Sequence, residues 1–218
     1  MITGLKVTLT HDDWTLYTER FKDDIVLSIN AANINFEDGL VYSLVNVEAP
    51  NKETIEKLVE VVKNHRRVKN LRLVDLKNNR TYTIALLSMV TTLNDGVRGV
   101  LSKFETYYAK EYISDGNETW FLIVNKRYSD LISRLKEISY TFDYSQQSFD
   151  EILPLNNVLT KKEKEILITA YQLGYFEWPH TLNIGDLAEK FNISKTAILQ
   201  TLRRAIRKLV ANYVNSYS

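Results

Sequence analysis

The residues of this chain that could do chemistry lie near its C-terminal end, where cations are frequent and acids are absent. Between Asn192 and Val210 the sequence has five Lys or Arg residues and no Asp or Glu. Thr196 and Gln200 are four residues apart and would share one face of a helix. Gln can form two hydrogen bonds with an adenine edge, and cations on the same helix can neutralise phosphates. The pattern therefore indicates contact with a nucleic-acid duplex.

A capping signal opens the first helix of this region. Thr160 is followed three residues later by Glu163, the spacing at which each side chain can bond the backbone amide of the other residue. Gly174 is placed to end the helix in the left-handed conformation. The apolar face predicted for this helix comprises Ile166, Leu167, Ala170 and Leu173.

Two further helices follow, and a sharp turn joins them. Asn183 can cap a short helix over 184–191. Asn192 tolerates the left-handed conformation of the turn, and Ser194 can cap a long helix that runs to about Val214. A short helix, a tight turn and a longer helix form the helix-turn-helix plan. The buried stripe predicted for the long helix comprises Ile198, Leu202, Ala205, Ile206 and Leu209.

The opposite face of the long helix carries the predicted contacts with double-stranded DNA. In the helix-turn-helix plan this helix enters the major groove with its N-terminus first. We assign Thr196 and Gln200 to base edges and the cations to phosphates, which the amides at the helix start also favour. The predicted DNA-binding residues are Ser194, Lys195, Thr196, Gln200, Arg203, Arg204 and Arg207.

An ordered set of residues in this region carries a family resemblance. The set comprises Leu159-Thr160, Ala170-Tyr171, Gly174-Tyr175-Phe176, Pro179, Leu187-Ala188, Ile193-Ser194-Lys195 and Leu202-Arg203-Arg204-Ala205. Residues 159–210 thereby resemble the helix-turn-helix domain of the bacterio-opsin activator family, which is known chiefly from archaea. Asn192 stands where these domains usually have Gly, and Asn also suits the left-handed conformation. The resemblance implies sequence-specific DNA binding and transcriptional regulation.

The first 150 residues show the element order β-α-β-β-α-β twice. Similar hairpin strands recur 79 residues apart, and each repeat matches the split βαβ plan of the ferredoxin-like fold. The repeats resemble ACT-like regulatory domains in topology only. The predicted fold class is α+β, with ferredoxin-like units at 1–77 and 78–150 and an all-α helix-turn-helix domain at 151–218.

Three local predictions within this part depend on short signals. The spacing of Thr10 and Asp13 predicts a helix over 12–22. A helix is predicted over 94–102, although two Gly residues there disfavour it. The polar stretch 145–157 contains a Pro and an Asn pair, which is typical of a linker.

The composition excludes several classes of protein. The chain has 218 residues, no Cys and three His, so disulfide frameworks, Cys-ligated metals and thiol catalysis are excluded. The longest apolar run is shorter than the roughly 20 residues of a membrane helix, and the N-terminus has no signal segment. We expect a cytoplasmic protein without cofactor, metal or membrane contact. His11-Asp12-Asp13 is interpreted as helix capping, and no cluster of acid, base and nucleophile indicates an enzyme.

Charge is divided unequally along the chain. Residues 155–218 carry nine Lys or Arg and five Asp or Glu, a net charge of +4, whereas residues 1–154 carry a net charge of −3. A basic end indicates contact with a polyanion. Because one helix-turn-helix module makes few base contacts, we expect a homodimer on DNA. The N-terminal region is expected to sense a small-molecule effector or to mediate assembly.

Two alternatives remain open from the sequence. The helix-turn-helix domain could be an adaptor that binds the transcription apparatus rather than DNA. Tyr213, Val214 and Tyr217 continue the apolar stripe of the long helix. They could pack on the helix that begins at Thr160, or they could form a dimer contact.

Overall fold

Alternating apolar residues build an eight-stranded antiparallel sheet in the first part of the chain. The structure is a computed structural model, and it describes residues 1–79, 81–94, 96–153, 159–179 and 181–217. The sheet order is β4-β5-β3-β2-β6-β7-β1-β8. The strands are β1 Ile2–His11, β2 Val26–Asn35, β3 Leu40–Ala49, β4 Val68–Asn78, β5 Thr83–Thr92, β6 Thr106–Ser114, β7 Asn117–Asn125 and β8 Ser139–Gln147.

This strand order corrects the prediction of two separate ferredoxin-like units at 1–77 and 78–150. In the split βαβ plan the third strand lies between the first and second, and the fourth lies beside the first. One half of the sheet, β4-β5-β3-β2, has β5 in the position of a first strand, and the other half, β6-β7-β1-β8, has β1 there. The first strands of the two repeats are exchanged, and residues 1–152 form one compact unit.

The short link between β4 and β5 explains the exchange. Only residues 79–82 separate the two strands, and a link of this length joins antiparallel neighbours as a hairpin. The hairpin pairs β5 with β4 from Thr83 opposite Asn78 to Thr91 opposite Val68. β5 therefore occupies the position beside β4 that β1 has in the expected unit, and β1 pairs with β7 and β8 instead.

Helices pack on both halves of the sheet and close a separate apolar core on each. α1 contributes to the core of the half that contains β3, and α2 and α3 contribute to the core of the half that contains β7. The helix predicted over 94–102 is confined to the five residues of α2. The helices of this part are α1 Lys52–Lys63, α2 Val97–Leu101, α3 Ser129–Ile138 and α4 Phe149–Ile152.

The segment after β1, Trp14–Asp24, is 3₁₀-helical with a break at Lys22, whose φ is 48°, and is not the α-helix predicted over 12–22. β1 continues past Thr10, whose hydroxyl bonds a threonine hydroxyl of β8 at 2.8 Å, so Thr10 does not cap a helix. The carboxylate of Asp13 caps the segment and accepts from the Trp14 amide at 2.7 Å. Trp14 packs in the core of the half β4-β5-β3-β2, whereas β1 belongs to the other half of the sheet.

A buried carboxylate anchors this crossing between the halves. Glu118 accepts hydrogen bonds from His11 Nε2 at 2.9 Å, from Thr15 Oγ1 at 2.7 Å and from Trp120 Nε1 at 2.8 Å. Burial alone would lower the pKa of His11, but the hydrogen bond and charge of Glu118 outweigh that effect and raise it. Burial opposes ionisation of Glu118, and its bond to His11 nevertheless lowers the pKa of that carboxyl.

Two further contacts between an arginine and a carboxyl group lie beside Glu118. Arg67 bonds the carboxylate of Asp13, and Arg98 Nη2 donates to Glu111 Oε2 at 2.9 Å. Burial raises the pKa of Asp13 to about 6 and that of Glu111 to about 8, against the opposing charges of the two arginines. The polar groups at the crossing of the two repeats therefore have mostly one another as hydrogen-bond and charge partners. They lie in an interior from which water is mostly excluded.

Residues 153–218 form a second compact unit, close to the boundary predicted at 151. The stretch 145–157, predicted as a linker, contains the end of β8 and all of α4, while its residues 154–157 lie outside the described residues. None of the helices that the structure describes has the length and apolar content needed to cross a membrane.

The strand exchange predicts how fragments behave. A chain of residues 1–152 keeps every strand with its partners, so it should unfold cooperatively on its own. A chain of residues 1–77 lacks β5, β7 and β8, so its strands can form a complete unit only if β1 returns to the place of β5. It should therefore have a lower free energy of unfolding than 1–152 in a urea titration followed by tryptophan fluorescence. A monomeric 1–77 that is as stable as 1–152 would contradict the exchange.

The buried carboxyl of Glu111 predicts a fall in stability with rising pH. Its pKa is about 8 in the folded chain and 4.5 ordinarily, so between these values the folded state holds a proton that the unfolded state has lost. The free energy of unfolding should therefore fall as the pH rises from 5 to 8, by at most about 1.4 kcal/mol per pH unit. Glu111→Gln should flatten this dependence in urea titrations, whereas Glu37→Gln, on an exposed turn, should not. Equal slopes for both variants would refute the assignment.

Candidate nucleic-acid interface

Helix α5, Lys161–Gln172, begins with the predicted capping box. Thr160 Oγ1 accepts from the Glu163 amide at 3.2 Å, and Glu163 Oε2 accepts from the Thr160 amide at 2.9 Å. Glu163 Oε2 also accepts from Lys208 Nζ at 2.8 Å, and this bond holds the pKa of Glu163 below its usual value. Gly174, at φ 75°, follows the helix as predicted. The first turn of α5 is thereby tied to the long helix of the unit.

The predicted turn follows the short helix α6, Ile184–Lys190. Asn183 Oδ1 caps α6 and accepts from the Gly185 amide at 2.7 Å. Asn192 has a φ of 51°, as its residue type indicated. Beyond it, the Ile193 amide donates to the Ala188 carbonyl at 3.0 Å. This bond closes the turn and directs the chain into the next helix.

The long helix α7, Lys195–Tyr217, packs on α5 and α6 through a small apolar core. Ser194 Oγ caps it and accepts from the Ala197 amide at 3.2 Å. Ile193 is partly buried against this core, between the two helices. The buried members of the core are Ile166, Ala170, Leu187, Ala188, Ile198 and Leu202.

All seven residues predicted to bind DNA have exposed side chains. Since successive residues of an α-helix are turned by about 100°, Thr196, Gln200, Arg203 and Arg207 fall within about 60° of one another. Ile198 and Leu202, which are buried, lie on the opposite side of the helix. We name this exposed face the cationic stripe. It consists of Thr196, Gln200, Arg203 and Arg207, and Arg204 and Lys195 lie beside it.

The buried stripe of α7 is shorter than predicted. Ala205 is fully buried, but Ile206 is 38% exposed and Leu209 is 43% exposed. Tyr213 and Val214 are 63% and 50% exposed, and the side chain of Tyr217 lies outside the described residues. The role of Lys208 was not predicted, because its partner Glu163 is 45 residues away in sequence.

A second polar cluster, in the sheet unit, has the ligand types of a metal site. His11, Asp13 and Glu118 offer ligand atoms within 4.8 Å of one another. The sequence placed His11 and Asp13 together, but Glu118 joins them only through the pairing of β1 with β7. Each group already has a partner, since Arg67 holds Asp13 and His11 holds Glu118. The adjacent cavity, of about 30 Å³, is far smaller than a metabolite site, so we interpret the cluster as structural.

Comparison with protein families identifies the C-terminal unit. Residues 159–211 match the sequence model of a family described as an HTH DNA-binding domain. This segment is a helix-turn-helix domain of the bacterio-opsin activator type. The capped α6, the left-handed turn and the exposed stripe of α7 supply the geometry that such a domain requires.

A relative among curated proteins is similar to part of this chain. The chain is 36% identical over 59 residues to a protein of Haloferax volcanii named "Putative transcriptional regulator". The match covers 27% of this chain and 10% of the relative, so the chain spans about a tenth of that protein. No solved structure matches the chain.

The left-handed turn of the helix-turn-helix domain predicts a stability difference. Asn192→Ala places a residue with little tolerance for φ 51° at this position and should lower the free energy of unfolding of the domain by about 1 kcal/mol. Asn192→Gly tolerates the conformation and serves as the matched control. Thermal unfolding followed by circular dichroism measures both variants. An alanine variant as stable as the glycine variant would show that the turn does not need this conformation.

Proposed function

We propose that this chain is a sequence-specific DNA-binding transcriptional regulator that docks the first half of α7 in the major groove. The observation that carries the proposal is the cationic stripe. Its residues are exposed on a helix without a single acid, and the opposite side of that helix is fixed in the core of a helix-turn-helix domain. A helix held in this way can enter a groove without losing its own packing.

Each residue of the interface has a proposed role. Thr196 and Gln200, at the start of the cationic stripe, reach base edges, since the N-terminal part of a recognition helix lies deepest in the groove. Arg203, Arg204 and Arg207 lie further along α7 and neutralise phosphates. Lys195 also contacts phosphate, and the capped start at Ser194 directs backbone amides towards the same group.

The chain is further proposed to act as a homodimer in the cytoplasm, without catalysing a reaction. One module of this size makes few base contacts, and two modules on a two-fold operator raise both affinity and specificity. The cytoplasmic location follows from the proposed chromosomal target. A regulator needs no catalytic cluster, and the buried carboxylates of the sheet unit are held by partners within the fold.

The sheet unit is proposed to sense an effector or to mediate assembly. β2 and β6 pair over three residues and then diverge. Between them lies a groove of about 500 Å³, a volume typical of small-molecule sites. Both halves of the sheet unit contribute to the groove, so an occupant would contact both of them. Its apolar lining includes Ile34, Phe36, Leu101, Phe104 and Tyr108.

An adaptor that binds the transcription apparatus is the second candidate function. Exposed aromatic side chains on the helix-turn-helix domain favour it, since Trp178 is 88% exposed and Tyr171 is 69% exposed. Large exposed aromatic residues are enriched at protein interfaces. The adaptor would show no sequence preference for DNA.

Selection of bound sequences from random duplex DNA tests the two candidates. A regulator should enrich one motif, and its affinity for the winning sequence should fall steeply with salt. Because a two-fold operator mirrors a two-fold dimer, the enriched motif should have two related halves. Recovery of no motif after repeated rounds would refute the proposed function and leave the adaptor.

The two roles assigned within the cationic stripe predict different mutant behaviour. Arg203→Ala combined with Arg204→Ala removes two phosphate contacts, so binding to all sequences should weaken and the logarithmic salt slope should fall by about 2 per chain. Gln200→Ala, the control on the same face, should keep the salt slope and cost about 1–3 kcal/mol only on the preferred base pair. Fluorescence anisotropy over a salt series measures both. A uniform loss for Gln200→Ala would remove it from base reading.

A further inference from the structure

The groove between β2 and β6 has a single charged residue, Arg98 of α2, among its described lining residues. The lining residues that the structure describes include no Asp or Glu. Apolar and aromatic side chains supply most of the remaining surface, together with the small polar residues Asn33, Ser102 and Thr106. A concave, largely apolar surface with one charge is the common form of a small-molecule site, because the charge fixes the orientation of the ligand.

Arg98 lies at the end of the groove where the two strands separate. The described pairs of β2 with β6 end with Ile29 opposite Glu111, and Arg98 Nη2 donates to Glu111 Oε2 at 2.9 Å. Beyond this point one wall of the groove runs from Ala31 to Phe36, which is about 16 Å of extended chain. A ligand with its charged group at Arg98 can therefore extend along the groove.

The guanidinium group of Arg98 can donate further hydrogen bonds. A guanidinium group has five N–H donors, and within the described residues Arg98 uses one of them, for Glu111. Its side chain is 17% exposed, so part of it is open to solvent. The guanidinium group also lies over the ring of Trp120, 4.8 Å from the ring centroid. This contact restricts the position of the donors.

The carboxyl group that Arg98 contacts leaves most of its positive charge uncompensated. Burial raises the pKa of Glu111 to about 8, although the charge of Arg98 opposes this shift. At neutral pH this carboxyl group is therefore mostly protonated. The nearby carboxylate of Glu118 is hydrogen-bonded to His11, Thr15 and Trp120. An anionic ligand in the groove would supply the charge that Arg98 otherwise lacks as a partner.

The charge of the lining favours a carboxylate over other charged groups. A carboxylate accepts two parallel hydrogen bonds from a guanidinium group and carries one negative charge. A phosphate monoester carries about two negative charges, and the described lining offers no second cation. The ammonium group of an α-amino acid would find no acid among the described lining residues and would lose water without compensation.

The remaining lining favours an apolar or aromatic body on the ligand. Phe36, Phe104 and Tyr108 place aromatic rings around the groove, and Ile34 and Leu101 add aliphatic surface. Aromatic rings pack favourably against one another in offset or edge-to-face arrangements. The class of ligand that matches both the charge and the surface is a small monocarboxylate with an apolar or aromatic body.

We propose that the groove between β2 and β6 binds a small apolar monocarboxylate, whose carboxylate accepts hydrogen bonds from Arg98 and whose body lies along the two strands. A regulatory role for this ligand rests on the proposed function of the chain, whereas its binding does not. β2 belongs to one half of the sheet unit and β6 to the other. The bound ligand therefore links the two halves beside the point where they pair.

Isothermal titration calorimetry of the full chain with three matched probes tests the proposal. Phenylpropionate carries the carboxylate, phenylpropionamide replaces it with a neutral amide, and phenylalanine adds an ammonium group. Phenylpropionate should bind, and the amide and phenylalanine should each bind at least about tenfold more weakly. The proposal would be overturned if phenylpropionate did not bind at millimolar concentration, or if either of the other probes bound as tightly.

Three variants locate the binding in the groove. Arg98→Met removes the charge and should abolish the preference for the acid over the amide. Arg134→Met is the matched control, since it removes an exposed arginine of α3 outside this groove, and it should keep the preference. Ala31→Phe fills the groove from an exposed position and leaves Arg98 in place. It should lose the binding of phenylpropionate while its circular dichroism spectrum stays that of the parent.

The outcomes separate this inference from the proposed function. Unchanged binding of phenylpropionate by Ala31→Phe, or a preserved preference for the acid in Arg98→Met, would place the ligand elsewhere and refute the proposed site. If phenylpropionate binds as expected but selection from random DNA enriches no motif, the ligand site stands and the DNA-binding function fails. If a motif is enriched but phenylpropionate binds no more tightly than its amide, the DNA-binding function stands and the proposed ligand site is wrong.

Discussion

The packing of α7 on α5 and α6 decides the direction in which every cation of α7 points. Ile198 and Leu202 are fixed in the core of the helix-turn-helix domain, and the helical repeat then turns the cationic stripe to the opposite side. The left-handed turn at Asn192 and the pair between Lys208 and Glu163 hold the two ends of this arrangement. If α7 rotated by half a turn, the cations would face the core and the apolar residues would face solvent, which no gain in surface contact would offset.

The sheet unit is held together as one compact unit in a different way. Two sequence repeats exchange their first strands, so neither repeat can leave without breaking the pairing of the other. Charged residues lie in the interior at the points where the chain crosses from one half of the sheet to the other. Glu118 and Asp13 are buried there, and each is satisfied by donors that come from distant parts of the sequence. Removing one partner would leave a buried charge without compensation, which makes this centre sensitive to substitution.

Local signals in the sequence predicted the helix-turn-helix domain well, because its elements are set by neighbouring residues. The capping box at Thr160, the left-handed Asn192 and the capped start at Ser194 act within a few residues of their own positions. The order β-α-β-β-α-β was visible for the same reason. The strand exchange was not predicted, because the hydrophobic pattern of a strand determines which face is buried and not which strand lies beside it.

The four-residue link at 79–82 was the signal that could have indicated the exchange, since a link of that length favours a hairpin. Prediction of the candidate site from the sequence was limited in the same way. Periodicity identified the cationic stripe, but it overestimated the buried stripe by including Ile206 and Leu209, which are 38% and 43% exposed. α7 reaches the first turn of α5 at Lys208, so α5 covers little of α7 from there on. Glu118 carried one usable signal, a lone acid at the head of an apolar strand, but its partner His11 lies 107 residues away.

The central claim is that the cationic stripe of α7 contacts DNA while its opposite side stays in the domain core. Backbone amide chemical shifts of the full chain, recorded during titration with a duplex that contains the selected motif, test this most directly. We expect the largest changes between Ser194 and Arg207 and little change at the core position Ala170. Changes centred on Tyr171 and Trp178, or spread over the sheet unit with α7 unaffected, would contradict it.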